Sequence, residues 1–151
     1  GGMRMMVALF GGTPTSRLFT YVREKLSLCY YCAARFDRLT GLMFVDSGVE
    51  KQNGRKAYDE ILRQLDCVRR GEFTDEELTA TRLLMQTSLE AVGDSLSATE
   101  EWYLTQIVGG AQYSAKDESA LLDEVTREDV IAAAGQVTLD TVYFLTGKEA
   151  E

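Results

Sequence analysis

Apolar residues crowd the start of the chain, where Met3, Met5, Met6, Val7, Leu9 and Phe10 run up to a Gly11-Gly12 break as though a helix were already under way. Thr13 offers an N-cap hydroxyl and Pro14 suits a first helical position, which predicts a short helix to about Lys25 burying Leu18, Phe19 and Val22. The Leu26-Ser27 step is the expected turn. Segments 28–37 and 41–49 are rich in β-forming residues and are separated by a short link ending in Gly41, the pattern of an antiparallel hairpin. Both strands are expected in the middle of a sheet.

From 52 to 70 the apolar positions Ala57, Ile61, Leu65 and Val68 recur at helical spacing and Gly71 ends the run. This helix is expected to lie on the sheet. Thr74 and Glu77 have the spacing of a capping box. After them Leu78, Met85, Leu89, Val92, Leu96, Tyr103 and Ile107 predict one continuous apolar face, with an irregularity at Gly93-Asp94-Ser95. A shorter helix is predicted over 117–124, another from Thr126 to Gln136, and 141–146 reads as a closing strand. Strands and helices that segregate along the chain indicate an α+β fold, an antiparallel-rich sheet with helices packed on one face. The 151 residues form a single domain of ordinary size.

Composition narrows the function. With 45% hydrophobic and 26% charged residues and no apolar run near the ~18–20 residues that span a bilayer, the chain reads as soluble and cytoplasmic, with no membrane partner. A formal charge of −8 argues against nucleic acid, where Lys and Arg must neutralise phosphates. Cys29, Cys32 and Cys67 are an odd number without repeated spacing, which suits a reducing compartment. Cys29 and Cys32 sit three apart on a predicted strand and are therefore expected on opposite faces, unable to close a disulfide or share a metal.

The chain has no histidine. That removes Ser-His and Cys-His nucleophilic pairs and nearly all catalytic zinc sites, including the helical H-x-x-E-H signature. Independent zinc proteolysis is excluded on this reading. The acidic clusters at 75–77 and 100–101 read as solvated helix surface, and 11–16 lacks the Lys-Ser/Thr pair of a phosphate loop.

Against that background the segment SRLFTYVREKLSLCYY, behind a Gly-rich loop, resembles the insulinase-like zinc metallopeptidase family, which includes pitrilysin and the mitochondrial processing peptidase. The resemblance rests on S-R-L-F, on a short helix ending in R-E-K, and on Arg23 followed seven positions later by Tyr30. TGLMFVDSGVE, FTDEELTATRLLM and VTREDVIAAAGQV fall in the family's order, so the likeness covers nearly the whole chain. It implies the C-terminal, non-zinc-binding half of a two-half peptide chamber. Arg23 and Tyr30 would bind the peptide substrate, and zinc would belong to a partner half or homologous subunit, with no cofactor in this chain. It also implies an N-terminal truncation that removes the half's first strand and helix, leaving an open edge for a second copy or for the absent half.

Ser27 departs from the family, many of whose members have Gly there, a residue suited to a left-handed helix end. The Tyr30-Tyr31 doublet and the tail LDTVYFLTG are similar to short bacterial relatives in which a zinc-less protein accompanies a zinc-bearing one. The resemblance thus implies a non-catalytic, substrate-positioning half of a metallopeptidase. The alternative is a zinc-less scaffold or peptide-binding module with no part in hydrolysis.

Overall fold

The computed structural model describes residues 1–147. Helix α1 (Gly2–Val7) runs on as a π-helix, Ala8–Gly12, and a second π-helix spans Leu18–Lys25. Strands β1 (Cys29–Asp37) and β2 (Leu42–Val49) form an antiparallel hairpin. A 3₁₀ turn (Lys51–Asn53) leads into α2 (Gly54–Arg69), followed by α3 (Asp75–Glu90), a 3₁₀ turn (Ala91–Asp94), α4 (Leu96–Val108), α5 (Ala115–Asp123) and α6 (Arg127–Gln136).

The apolar start of the chain is the centre of the core. Met5, Met6, Leu9 and Phe10 are at most 1% exposed and join Leu18, Val22, Val68, Leu122 and Val130 in one cluster. α1 packs against α6, and both π-helices pack against β1. Gly11 permits that approach: a Cβ there would stand 2.7 Å from the Ala34 Cβ and 2.8 Å from its backbone nitrogen.

The hairpin turns at Gly41, whose φ of +71° lies in the left-handed region. Cys32, Ala34, Phe36, Met43 and Val45 face the core, whereas Tyr31, Ala33, Arg35 and Phe44 face outward, so the helices cover one face of the sheet. Across the outer face Arg35 pairs with Asp46 and lies over the Phe44 ring.

The capping box read at Thr74 and Glu77 and the helix start read at Thr126 are in place, the latter as a capping box with Asp129, and Ser114 with Asp117 forms a further one that starts its helix at Ala115, ahead of the predicted 117. The Asp117 and Asp129 carboxyls are held below their usual range by these hydrogen bonds, from the Ser114 hydroxyl and the Thr126 backbone first.

Several expectations are corrected. The second helix does not begin at Thr13 and Pro14: these residues make a turn, closed by the Ser16 N–H donating to the Thr13 carbonyl, with Pro14 at the turn position its fixed φ suits. Phe19 is half-buried, because π-winding carries it off the face that buries Leu18 and Val22. α2 packs chiefly on α6 and the second π-helix, since the inner face of the hairpin is already covered by the first residues of the chain.

The apolar face predicted to run through 107 is buried only as far as the 3₁₀ turn. Beyond it Leu96, Tyr103 and Ile107 are exposed, because α4 turns Trp102 and Gln106 inward instead. Residues 141–147 form no strand, and among the described residues β1 and β2 pair only with each other, so neither lies in the middle of a sheet. The tail instead rests Phe144 on Tyr58 of α2, with ring centroids 6.3 Å apart. Among the described residues no helix is long and apolar enough to cross a membrane.

Candidate functional site

The second π-helix is anchored by Arg17, which is only 5% exposed. Its Nε donates to Gln64 Oε1 and its Nη1 to Glu77 Oε1, each at 2.9 Å, tying the helix to α2 and α3. Gln64 in turn donates to Glu60, whose carboxylate also receives two hydrogen bonds from Arg63. Burial pushes the Glu60 carboxyl up, but donation from Arg63 and Gln64 outweighs it and holds the group below its ordinary value. The buried guanidinium is therefore paired with a carboxylate, as a charge removed from water must be.

That anchor fixes the exit of the helix. The Leu26 N–H reaches back to the Tyr21 carbonyl, the Leu28 N–H to the Val22 carbonyl, and Ser27 between them has φ +51°. Among the described residues Ser27 is the one non-glycine with positive φ. The left-handed turn expected from the family's glycine is present with a serine in it. A non-glycine residue there carries a steric cost of ~1–2 kcal/mol, against ~0.4–1 kcal/mol of chain entropy that glycine would forfeit. Ser27→Gly is thus expected to raise the melting temperature by a few degrees without altering the site, which a thermal melt will check.

After the turn the strand register slips by one residue. Cys29 pairs with Val49 and Tyr31 with Gly48, leaving Tyr30 as the extra residue of a β-bulge. The bulge breaks the alternation, so Tyr30 and Tyr31 are both exposed, at 68% and 51%. Tyr31 lies over Gly48, where an added Cβ would stand 2.5 Å from its ring. Tyr30 is thereby turned away from Tyr31's neighbour and toward the end of the π-helix.

Arg23 and Tyr30 meet there. Arg23 Nε donates to the Tyr30 carbonyl at 3.0 Å, its guanidinium lies 4.6 Å from the centroid of the Phe19 ring, and Nη1 faces Glu24 at 3.5 Å. The displaced Phe19 is thus the platform on which Arg23 is held. Tyr30 Oη donates to Glu50 Oε1 at 3.2 Å. Hydrogen bonding to Glu50, then its charge, raises the Tyr30 phenol above its ordinary value, so the hydroxyl stays a proton donor at neutral pH. Arg23 and Tyr30 line one open cavity of about 490 Å³ together with Glu24, Ser27, Cys29, Glu50 and Asn53.

Glu50 and Asn53 were not singled out by sequence reasoning. They lie 20 or more positions beyond Tyr30 and reach the cavity only because the hairpin register sets Val49 beside Cys29. The hairpin itself was the signal that could have found them. The cysteine expectation is also corrected: with the bulge between them, Cys29 and Cys32 both contact the core instead of taking opposite faces. Burial, the largest cause, pushes the Cys32 thiol up to about 12, which leaves it protonated and unreactive at neutral pH. All three cysteines are free thiols.

The residues present do not fit a zinc ion. The chain has no histidine, and among the described residues no group of three or more Cys, Asp or Glu side chains is placed to hold a metal.

Comparison with known proteins agrees with this architecture. The family model described as the peptidase M16 inactive domain matches residues 2–85. A curated protein of Bacillus subtilis (strain 168), "Probable inactive metalloprotease YmfF", is 33% identical over 147 residues, which is 97% of this chain and 34% of that protein. The chain therefore spans about a third of that relative's length. Among solved structures, a conserved protein from Enterococcus faecalis V583 superposes with a TM-score of 0.80 at 27% identity, covering 89% of this chain and 32% of that one. A protease from Helicobacter pylori superposes at 0.74 with 17% identity, covering 89% of this chain and 33% of that one, a likeness of fold alone. The family match takes in the hairpin and the helices up to α3, and the chain belongs to the M16 peptidase family as a domain of its inactive type.

Proposed function

We propose that this domain binds and positions a peptide for hydrolysis by a zinc-bearing M16 half, supplied by a partner chain or by another part of the same protein. The observation that carries the reading is the shared cavity: a π-helix end, a left-handed turn and a β-bulge together bring Arg23 and Tyr30 to one opening. Each of those local departures from regular structure is concentrated at this point of the fold, as is common where function sets the backbone.

The chemistry suits peptide. A guanidinium carries donors only and a protonated phenol adds another, and a peptide backbone offers carbonyl oxygens at regular spacing. The same donors would stabilise the negative oxygen that forms when the scissile carbonyl is attacked. Zinc in the other half would supply Lewis acidity and an activated water. An odd number of cysteines without repeated spacing suits a reducing compartment, and we propose the cytoplasm.

The reading is tested by tagging the chain and recovering it from its own organism. A protein carrying H-x-x-E-H at near one-to-one amount supports the paired peptidase. Recovery with other partners and none of that signature supports the scaffold instead.

A further inference from the structure

We propose that Glu50 makes the Arg23–Tyr30 cavity selective for a cationic side chain on the peptide, Lys or Arg, and that such a residue releases the Tyr30 hydroxyl for the peptide backbone. This inference rests on the peptide-binding reading above and adds the substrate class to it.

Glu50 directly follows β2, whose last residue Val49 pairs with Cys29, so its carboxylate stands beside the bulged Tyr30. Its two oxygens accept from the Tyr30 hydroxyl at 3.2 Å and from Gln52 Nε2 at 2.8 Å. Both donors are neutral. The tyrosine bond is also long for a hydroxyl on a carboxylate, where ~2.5–2.7 Å is usual, so it is a weak contact. An ammonium or guanidinium arriving at Glu50 would replace that contact with a charge-assisted one, roughly twice as strong.

The other charges in the cavity favour the same ligand. Arg23 is already matched by Glu24 at 3.5 Å and committed through Nε to the Tyr30 carbonyl, so it neither occupies Glu50 nor calls for an acidic peptide side chain. With two carboxylates and one guanidinium lining it, the opening favours a cationic over an acidic peptide side chain. When a cation takes Glu50, the Tyr30 hydroxyl loses its present acceptor and is free to donate to a peptide carbonyl, so side-chain recognition and backbone binding are coupled.

The test is a titration of the ¹⁵N-labelled chain with three end-capped peptides identical except for one central residue, Lys, norleucine or Glu. Binding is read from the backbone amides of Ser27 to Tyr30 and from the Arg23 Nε signal. The Lys peptide is expected to bind about 3- to 5-fold tighter than the norleucine peptide, the gain of a partly exposed ion pair, and the Glu peptide weakest. In Glu50→Gln, which keeps the shape of the side chain, that preference is expected to vanish, so that the Lys and norleucine peptides bind alike. Equal binding of Lys and norleucine, or a preference that survives Glu50→Gln, overturns the selectivity and leaves peptide binding standing. If no peptide moves these signals in either protein, peptide binding and the selectivity fall together.

Discussion

Arg23→Ala is expected to lower kcat/KM of the assembled zinc-bearing pair about 10²–10³-fold, the usual consequence of removing one preorganised donor from a developing oxyanion. Stability should hardly change. The Arg23 side chain is 41% exposed, and its internal bonds are one hydrogen bond to a backbone carbonyl and an exposed ion pair with Glu24, each of small net worth. Steady-state kinetics beside a thermal melt separate the two effects. Arg23→Lys should restore little, because an ammonium cannot hold the Tyr30 carbonyl through Nε, stack flat on Phe19 and still present a planar fork to the peptide. Tyr30→Phe should lower the rate in the same direction while keeping the bulge and the ring. A normal rate in both Arg23→Ala and Tyr30→Phe would remove these residues from the peptide site.

Gly11→Ala is the substitution expected to harm the fold most for its size. The new methyl would meet the Leu18 Cδ1 and the Ala34 Cβ at 2.7 Å and the Ala34 nitrogen at 2.8 Å. Leu18 could shift a methyl, but Ala34 is part of β1 and its nitrogen cannot move without disturbing the hairpin ladder. Overpacking of this kind costs ~1–3 kcal/mol or more, which for a domain of this size corresponds to a drop of roughly 5–10 °C in melting temperature. Because the clash falls on Leu18 of the second π-helix and on β1, the two elements that carry Arg23 and Tyr30, the variant should also weaken peptide binding. Gly135→Ala provides the contrast: nothing lies within 4 Å of its added Cβ inside α6, so the helix should gain ~0.5–1 kcal/mol. A Gly11→Ala melt no lower than that of the unaltered chain would mean the first π-helix does not sit tightly on β1.

The features legible in the sequence were those whose signal is local. Capping boxes at Thr74 and Thr126, the glycine stop at Gly71 and the Gly41 hairpin turn are each specified within a few residues, and all are present. The Arg23-to-Tyr30 spacing likewise brought two side chains to one cavity across a single turn.

The rest depended on relations that a residue pattern does not carry. Periodicity placed Leu96, Tyr103 and Ile107 on one face of α4 but could not say what covers that face, and among the described residues they are exposed. Residues 141–146 have strand composition, yet composition does not name a pairing partner, and Phe144 packs on Tyr58 instead. The π-winding over 18–25 shifts Phe19 out of the core and under Arg23, an outcome invisible to a 3.6-residue template. The bulge at Tyr30 is a matter of register across two strands, and it alone explains why consecutive tyrosines are both exposed and why Cys29 and Cys32 share the core side. Glu50 entered the site through the same pairing.

The most direct test of the account is a titration of this chain into a zinc-bearing M16 half from the same organism, following hydrolysis of a fluorogenic peptide that contains a lysine. The account predicts little activity from either part alone, a rate that rises to a plateau at one equivalent, and a plateau about 10²–10³-fold lower with Arg23→Ala although the two parts still associate. A zinc-bearing half that hydrolyses the peptide at full rate alone, or a plateau unaffected by Arg23→Ala, would contradict it.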